Sequence, residues 1–361
     1  MLATDGPAPS PPSPPRHGCP SAAPDDRPRN SATPVKEQNV IAYESLSDHE
    51  AAAAVPLDVE DLVCVSRPYL ALEDLRRIAP GRVIATVPIE SSSGRQAAVM
   101  GVGEAGRHLA ILGLCAASTI NRRPGRFAYL ARAARVEWLA APTLAPQQSP
   151  LIGHAKAAFT TSRKATADAR LTDAFSGEIV ARMSVSYDVL PHRLLTRLLD
   201  DAPPSEDTST SPGGIPFRET APSSRPYGEP IPLERFRLEP ATGTISAELP
   251  VTAALCPGHF DGYPVLPVAV AATAMTTLVD QAVAELYPHA RWLAGPLTLQ
   301  ADGFARAGET VTFTATPTRG MTYRCVARTK SRTVASVDIQ LILVDPVTLD
   351  QSVPPVVSTV R

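Results

Sequence analysis

Two helix-length runs set the terms on which this chain can fold. Residues 104–119 (EAGRHLAILGLCAAST) and 268–286 (VAVAATAMTTLVDQAVAEL) are rich in small residues and apolar nearly all the way round. A helix of that kind needs apolar cover on every side, so each belongs in a core. Neither holds the roughly 18 uninterrupted apolar residues that a membrane span requires.

What surrounds the two runs repeats. A short strand signal precedes each and starts at a glycine: Gly81 to Ile89 before the first, Gly243 to Val251 before the second. Longer strand signals follow. In the first half they cover His154–Arg170 and Glu178–Val189. In the second they cover Trp292–Phe304, Glu309–Pro317, Met321–Lys330 and Ala335–Val344, and Thr310–Ala315 alternates cleanly. Strand, buried helix, antiparallel meander, written twice, is met by an α+β arrangement of two antiparallel sheets. Each sheet wraps around one central helix and covers its apolar surface. Pairing the two units edge to edge removes exposed strand edges. The halves span 53–200 and 230–350. Between them, residues 201–229 read as a flexible linker, since Asp200–Pro232 carries eight prolines. Ten prolines within residues 1–34 mark 1–52 as a disordered tail, and 351–361 reads as a second tail.

Composition excludes several functions. A net charge of −2 offers no basic field to nucleic acid. The five cysteines are scattered, with no CxxC and no HExxH, which argues against a disulfide scaffold or a metal site and for a reducing compartment. No basic head with an apolar run opens the sequence. The expectation is therefore a cytoplasmic protein with no membrane or nucleic-acid partner and no metal.

The stretch Pro250–Pro267 (PVTAALCPGHFDGYPVLP) carries the chemistry. Gly258, His259, Phe260, Gly262, Pro264, Val265 and Pro267 stand between a strand and a buried helix. A histidine with pKa near ~6.5 is a fitting base at neutral pH. Gly262 allows a tight turn, and the helix that follows offers free N–H groups to a developing anion. This stretch resembles the signature loop of the bacterial 3-hydroxyacyl-acyl-carrier-protein dehydratases, the FabA/FabZ family. Asp261 and Leu266 replace the usual proline and methionine, and Val268 stands where the family has glycine. The resemblance implies a hot-dog fold, here in tandem as a pseudodimer. It also implies a substrate carried on the phosphopantetheine arm of an acyl carrier protein, with no other cofactor.

The family places an acid fourteen residues after the histidine, where this chain has Thr273. Its sites are composite, so the acid is sought in the other half. There Glu104 opens the helix, and His108 follows one turn on, as in the related polyketide-synthase dehydratase domains. Pro88 to Glu104 is sixteen residues against twenty-three for Pro250 to Thr273, so the first half lacks room for a histidine loop, and Ser91, Ser92, Ser93 and Gly94 fill the gap. Each half then keeps one catalytic group. On this expectation His259 removes the C2 proton of a 3-hydroxyacyl thioester. Glu104 protonates the departing hydroxyl. Arg107 or His108 orients it, and Gly262, Pro267 and the Val268 N–H complete the substrate site. The product would serve fatty-acid or polyketide biosynthesis. Double-bond isomerisation, thioester hydrolysis by a water poised on Glu104, and non-catalytic acyl binding or scaffolding remain open, as does a homodimer.

Two other features compete for attention. Gly101–Gly106 spells GxGxxG, but no acidic residue lies between Gly106 and Glu137 to hold a ribose. Arg122, Arg123, Arg126, Arg132 and Arg135 form a basic run that suits a solvated face or an acidic carrier protein.

Overall fold

The computed structural model describes residues 54–91, 94–139, 150–200, 227–260 and 262–344. The two expected tails and nearly all of the 201–229 linker lie outside them.

Strands β1 (Val55–Pro56), β2 (Glu73–Ala79) and β3 (Arg82–Val87) lead into helix α1 (Val102–Ser118). Strands β4 (Phe127–Trp138), β5 (Leu151–Thr161), β6 (Lys164–Asp173) and β7 (Ile179–Pro191) follow, then a short helix α2 (His192–Asp200). The second half runs β8 (Glu234–Glu239), β9 (Thr244–Pro250), α3 (Val268–Leu286), β10 (Arg291–Ala301), β11 (Thr310–Pro317), β12 (Thr322–Arg328) and β13 (Thr333–Val344). The strands lie in the order β1-β2-β3-β5-β6-β7-β4-β10-β13-β12-β11-β9-β8, every neighbouring pair antiparallel. Apart from β1, the second half repeats the first in mirrored order. The strands that join the halves, β4 and β10, are counterparts. Val136 sits opposite Leu297 and Ala133 opposite Gln300. The two sheets expected from sequence are thus one sheet, because pairing β4 with β10 leaves no free edge at the junction.

The duplication reaches single residues. Gly81 ends the β2–β3 turn with φ +73°, and Gly243 ends the β8–β9 turn with φ +67°. Both lie in the left-handed region that glycine enters without a Cβ penalty. β9 and β11 alternate buried and partly or fully exposed residues along most of their length, one face on the core and one outward. Helix α1 is buried at all but Gly106 and Ala110. It packs on β3, β5, β6 and β7, and α3 packs on β9, β11, β12 and β13. The helices meet at Gly103, where an added Cβ would lie 2.8 Å from the Thr273 Cα. The GxGxxG glycine at this point therefore has a packing use, the close approach of two helices.

One strand expected over His154–Arg170 is a hairpin, β5 and β6, turning at Ser162-Arg163. No glycine or proline marks that turn, so it left no signal. Strands β2 and β8 also went unread.

Candidate active site

The loop after β9 is fixed from both halves of the sheet. Residues 62–70 form a strap before β2. Phe127 N–H donates to Leu62 O at 3.0 Å, and Ser66 N–H donates to Gly258 O at 2.8 Å, while Val65 bridges His259. A Cβ on Gly258, at φ +74°, would lie 2.4 Å from Ser66 O, so only glycine lets the strap and loop meet. Phe260 also has positive φ, +60°, a strained backbone for an aromatic residue that surrounding contacts must hold. Its buried ring lies 4.0 Å from the His259 ring.

The His259 Nδ1 lies 2.9 Å from the Val265 carbonyl oxygen. A carbonyl only accepts, so Nδ1 carries the proton and Nε2 keeps its lone pair. Burial pushes the imidazole pKa down to about 4, against the opposing pull of the Val265 carbonyl. The ring is therefore neutral at pH 7, the form a base must have. Beyond it, Gly262 turns the chain with φ +79°, and Pro267 caps α3. The first amides of that helix, on Val268 and Ala269, have no intrahelical acceptor.

The acidic side of the site is built by α1 and the turn after β3. Glu104 sits in the first turn of α1, buried. Its carboxylate accepts from the backbone N–H of Glu90, from the N–H of Ser91 at 3.2 Å and from the Ser91 hydroxyl. Arg107 pairs with Glu90 through Nη2. His108 is fully buried, its Nε2 lying 3.6 Å from Glu90 and 3.7 Å from Glu104. Burial lowers the His108 pKa, with its contact to Glu104 opposing. Burial also lowers that of Arg107. Glu90, Glu104 and His108 bring one ligand atom each within 4.8 Å of one another, a spacing open to a metal ion. Arg107 on Glu90 and three donors on Glu104 already occupy those carboxylates.

Two tyrosines connect the sides. Tyr69, on the strap, packs its ring edge-on to His259 at 4.9 Å and to Tyr227 at 5.3 Å. The Arg107 guanidinium carbon lies 4.8 Å from the Tyr227 ring centre and 6.0 Å from that of Tyr69. His259 of the second half and the Glu104–Arg107–His108 turn of the first thus share one neighbourhood, with Tyr69 and Arg107 between them. Sequence reasoning did not reach Glu90, Tyr69 or Tyr227. None sits in a motif, and Tyr69 meets its partners only through contacts distant in sequence. Thr273 donates from its hydroxyl to Ala269 O at 3.0 Å and faces Gly103 at the helix crossing, a place too tight for an acid.

Most of the arginine run is engaged locally. Arg123 lies over the Phe127 ring, Arg126 donates to Val63 O, Arg132 pairs with Asp188 and Arg135 with Glu137. Among the described residues, no helix is long and apolar enough to cross a membrane.

No protein-family model and no curated protein sequence matches the chain. Solved structures do. A tesB protein of Mycobacterium avium subspecies paratuberculosis is 11% identical, with a TM-score of 0.47, covering 76% of this chain and 98% of that one. An acyl-ACP thioesterase of Bacteroides thetaiotaomicron is 14% identical, TM-score 0.45, covering 73% and 97%. A protein of unknown function with a hot dog fold from Alicyclobacillus acidocaldarius is 16% identical, TM-score 0.45, covering 78% and 100%. None of the three is named a dehydratase.

Proposed function

We propose that this chain is a tandem hot-dog enzyme acting on acyl thioesters, with His259 as its base. One observation carries the proposal. A neutral imidazole whose Nε2 has no partner among the described residues comes from one half, and a buried carboxylate–arginine group from the other lies across the Tyr69 ring from it. Such pairing of a base with charged groups across a junction suits chemistry next to a thioester carbonyl.

The first reaction is loss of water from a 3-hydroxyacyl thioester, delivered on the phosphopantetheine of an acyl carrier protein. His259 Nε2 takes the C2 proton, and the Val268 N–H lies at a helix start suited to the thioester oxygen. Hydrolysis of the thioester is the second. It is the activity named for the thioesterase noted above. In this chain Glu104 favours it, because a carboxylate accepting three hydrogen bonds is arranged as an acceptor, and hydrolysis asks for no proton at a 3-hydroxyl.

The test uses the full chain with N-acetylcysteamine thioesters of a 3-hydroxyacyl and a saturated acyl group, with products identified by mass spectrometry. An enoyl thioester marks dehydration and a free acid marks hydrolysis. His259→Ala should lower turnover at least ~100-fold. Failure of the wild-type chain to consume either thioester, or full activity of His259→Ala, overturns the proposal.

A further inference from the structure

Dehydration needs a proton donor at the departing oxygen, and the carboxylates near His259 are spent. Glu104 accepts from the 90–91 turn, and Glu90 accepts from Arg107. The Tyr227 hydroxyl donates to Pro257 O at 2.7 Å, and the Tyr187 hydroxyl donates to Ala110 O at 2.7 Å. Tyr69 differs. Its ring is 6% exposed and 4.9 Å from the His259 ring. Its hydroxyl has no hydrogen-bond partner among the described residues, yet is not one of the fully sealed polar atoms of the interior.

We infer that the Tyr69 hydroxyl is the proton donor to the substrate oxygen that leaves as His259 removes the C2 proton. This rests on the acyl-thioester reading above and names a donor that the carboxylates do not supply. The C2–H bond breaks to His259 Nε2, and its electron pair becomes the C2–C3 double bond. The C3–O bond breaks toward oxygen, which takes the Tyr69 proton and leaves as water. The proton on His259 then returns to the phenolate through that water, restoring both groups. The surroundings suit each state. Burial pushes the hydroxyl up to about 12, so the phenol is protonated at rest, and the Arg107 charge pulls the other way, toward the transient phenolate. Arg107 also has a buried Nη1 with no partner among the described residues, a further donor beside the same ring.

The experiment compares wild type, Tyr69→Phe and His259→Ala on the 3-hydroxybutyryl thioester of N-acetylcysteamine. A fourth protein carries 3-fluorotyrosine at position 69 alone. Tyr69→Phe removes only the hydroxyl, so kcat should fall at least ~30-fold while KM changes less than ~3-fold. The fluorinated ring keeps the shape and holds a more acidic phenol, so the alkaline limb of kcat/KM should move to lower pH. It also serves if the phenylalanine variant fails to fold. Tyr69→Phe within ~3-fold of wild type, or an unmoved alkaline limb, overturns the inference while His259→Ala still reports on the wider reading. An inactive wild-type chain overturns both.

Discussion

Arg107 holds the acidic side of the site together. The side chains of Glu90 and Glu104 are both almost entirely buried, and the Arg107 guanidinium pairs with Glu90. A buried ion pair adds little over apolar packing, but removing one partner strands the other. Arg107→Met should therefore cost about 3–5 kcal/mol in denaturant unfolding. Adding Glu90→Gln should recover part of that loss, since the stranded charge is gone. The histidine side carries a pH signature. Its folded pKa of about 4 lies below the ordinary value, so folding favours the neutral ring. That stabilisation is present above pH ~6.5 and is lost as the pH falls toward 4, where the unfolded chain binds the proton first. His154 shifts the same way, to about 4, through burial and the nearby Arg170 and Arg82. Stability is expected to decline through this window, and His259→Gln to flatten the decline in a pH series of melts. The acid limb of kcat/KM should likewise lie near 4 rather than 6.5.

Elements place these residues, and the tight contacts between elements are where substitutions tell. Gly258→Ala puts a Cβ into the Ser66 carbonyl and a side chain into left-handed backbone. A loss of about 1–3 kcal/mol is expected, together with a larger fall in turnover than a distant substitution of equal stability cost, because His259 is the next residue. At the helix crossing, Gly103→Ala drives a methyl against Thr273, whose backbone cannot retreat. Thermal melts should show it more damaging than Gly106→Ala, where nothing lies within 4 Å. These elements also mark what the sequence disclosed. The two helices were readable because all-round apolar runs leave one solution, burial. The matched glycines Gly81 and Gly243 opened short strand signals at equivalent places, and His259 stood in a dense motif. The strap carrying Tyr69 was unreadable, since residues 62–70 show no period and bond to Phe127 and Gly258, far along the chain. Glu90 was hidden for a similar reason: its meaning comes from Arg107 on another element.

The whole molecule behaves as one unit because each half completes the other. Counterpart strands β4 and β10 merge the sheets, and the strap reaches from the first half to the loop of His259. A second crossing lies at the opposite loop, where Ala97 N–H donates to Trp292 O at 2.7 Å and Trp292 N–H to Arg95 O at 3.1 Å. The buried apolar residues of both halves form one continuous cluster. Because these contacts tie the halves together, opening one exposes the core of the other, and unfolding should be a single transition despite the duplicated architecture. The two tryptophans permit a direct check, for Trp138 lies in the first half and Trp292 in the second. The indole N–H of Trp138 is buried without a partner among the described residues, so Trp138→Phe forfeits none of the hydrogen bonds described. Trp292, anchored to Asp280 at 2.8 Å, then reports on the second half alone. Its fluorescence and the far-ultraviolet circular dichroism of the whole chain should trace one superimposable curve in denaturant. Two separated midpoints would mean that the halves fold independently and that the contacts across the junction are weak.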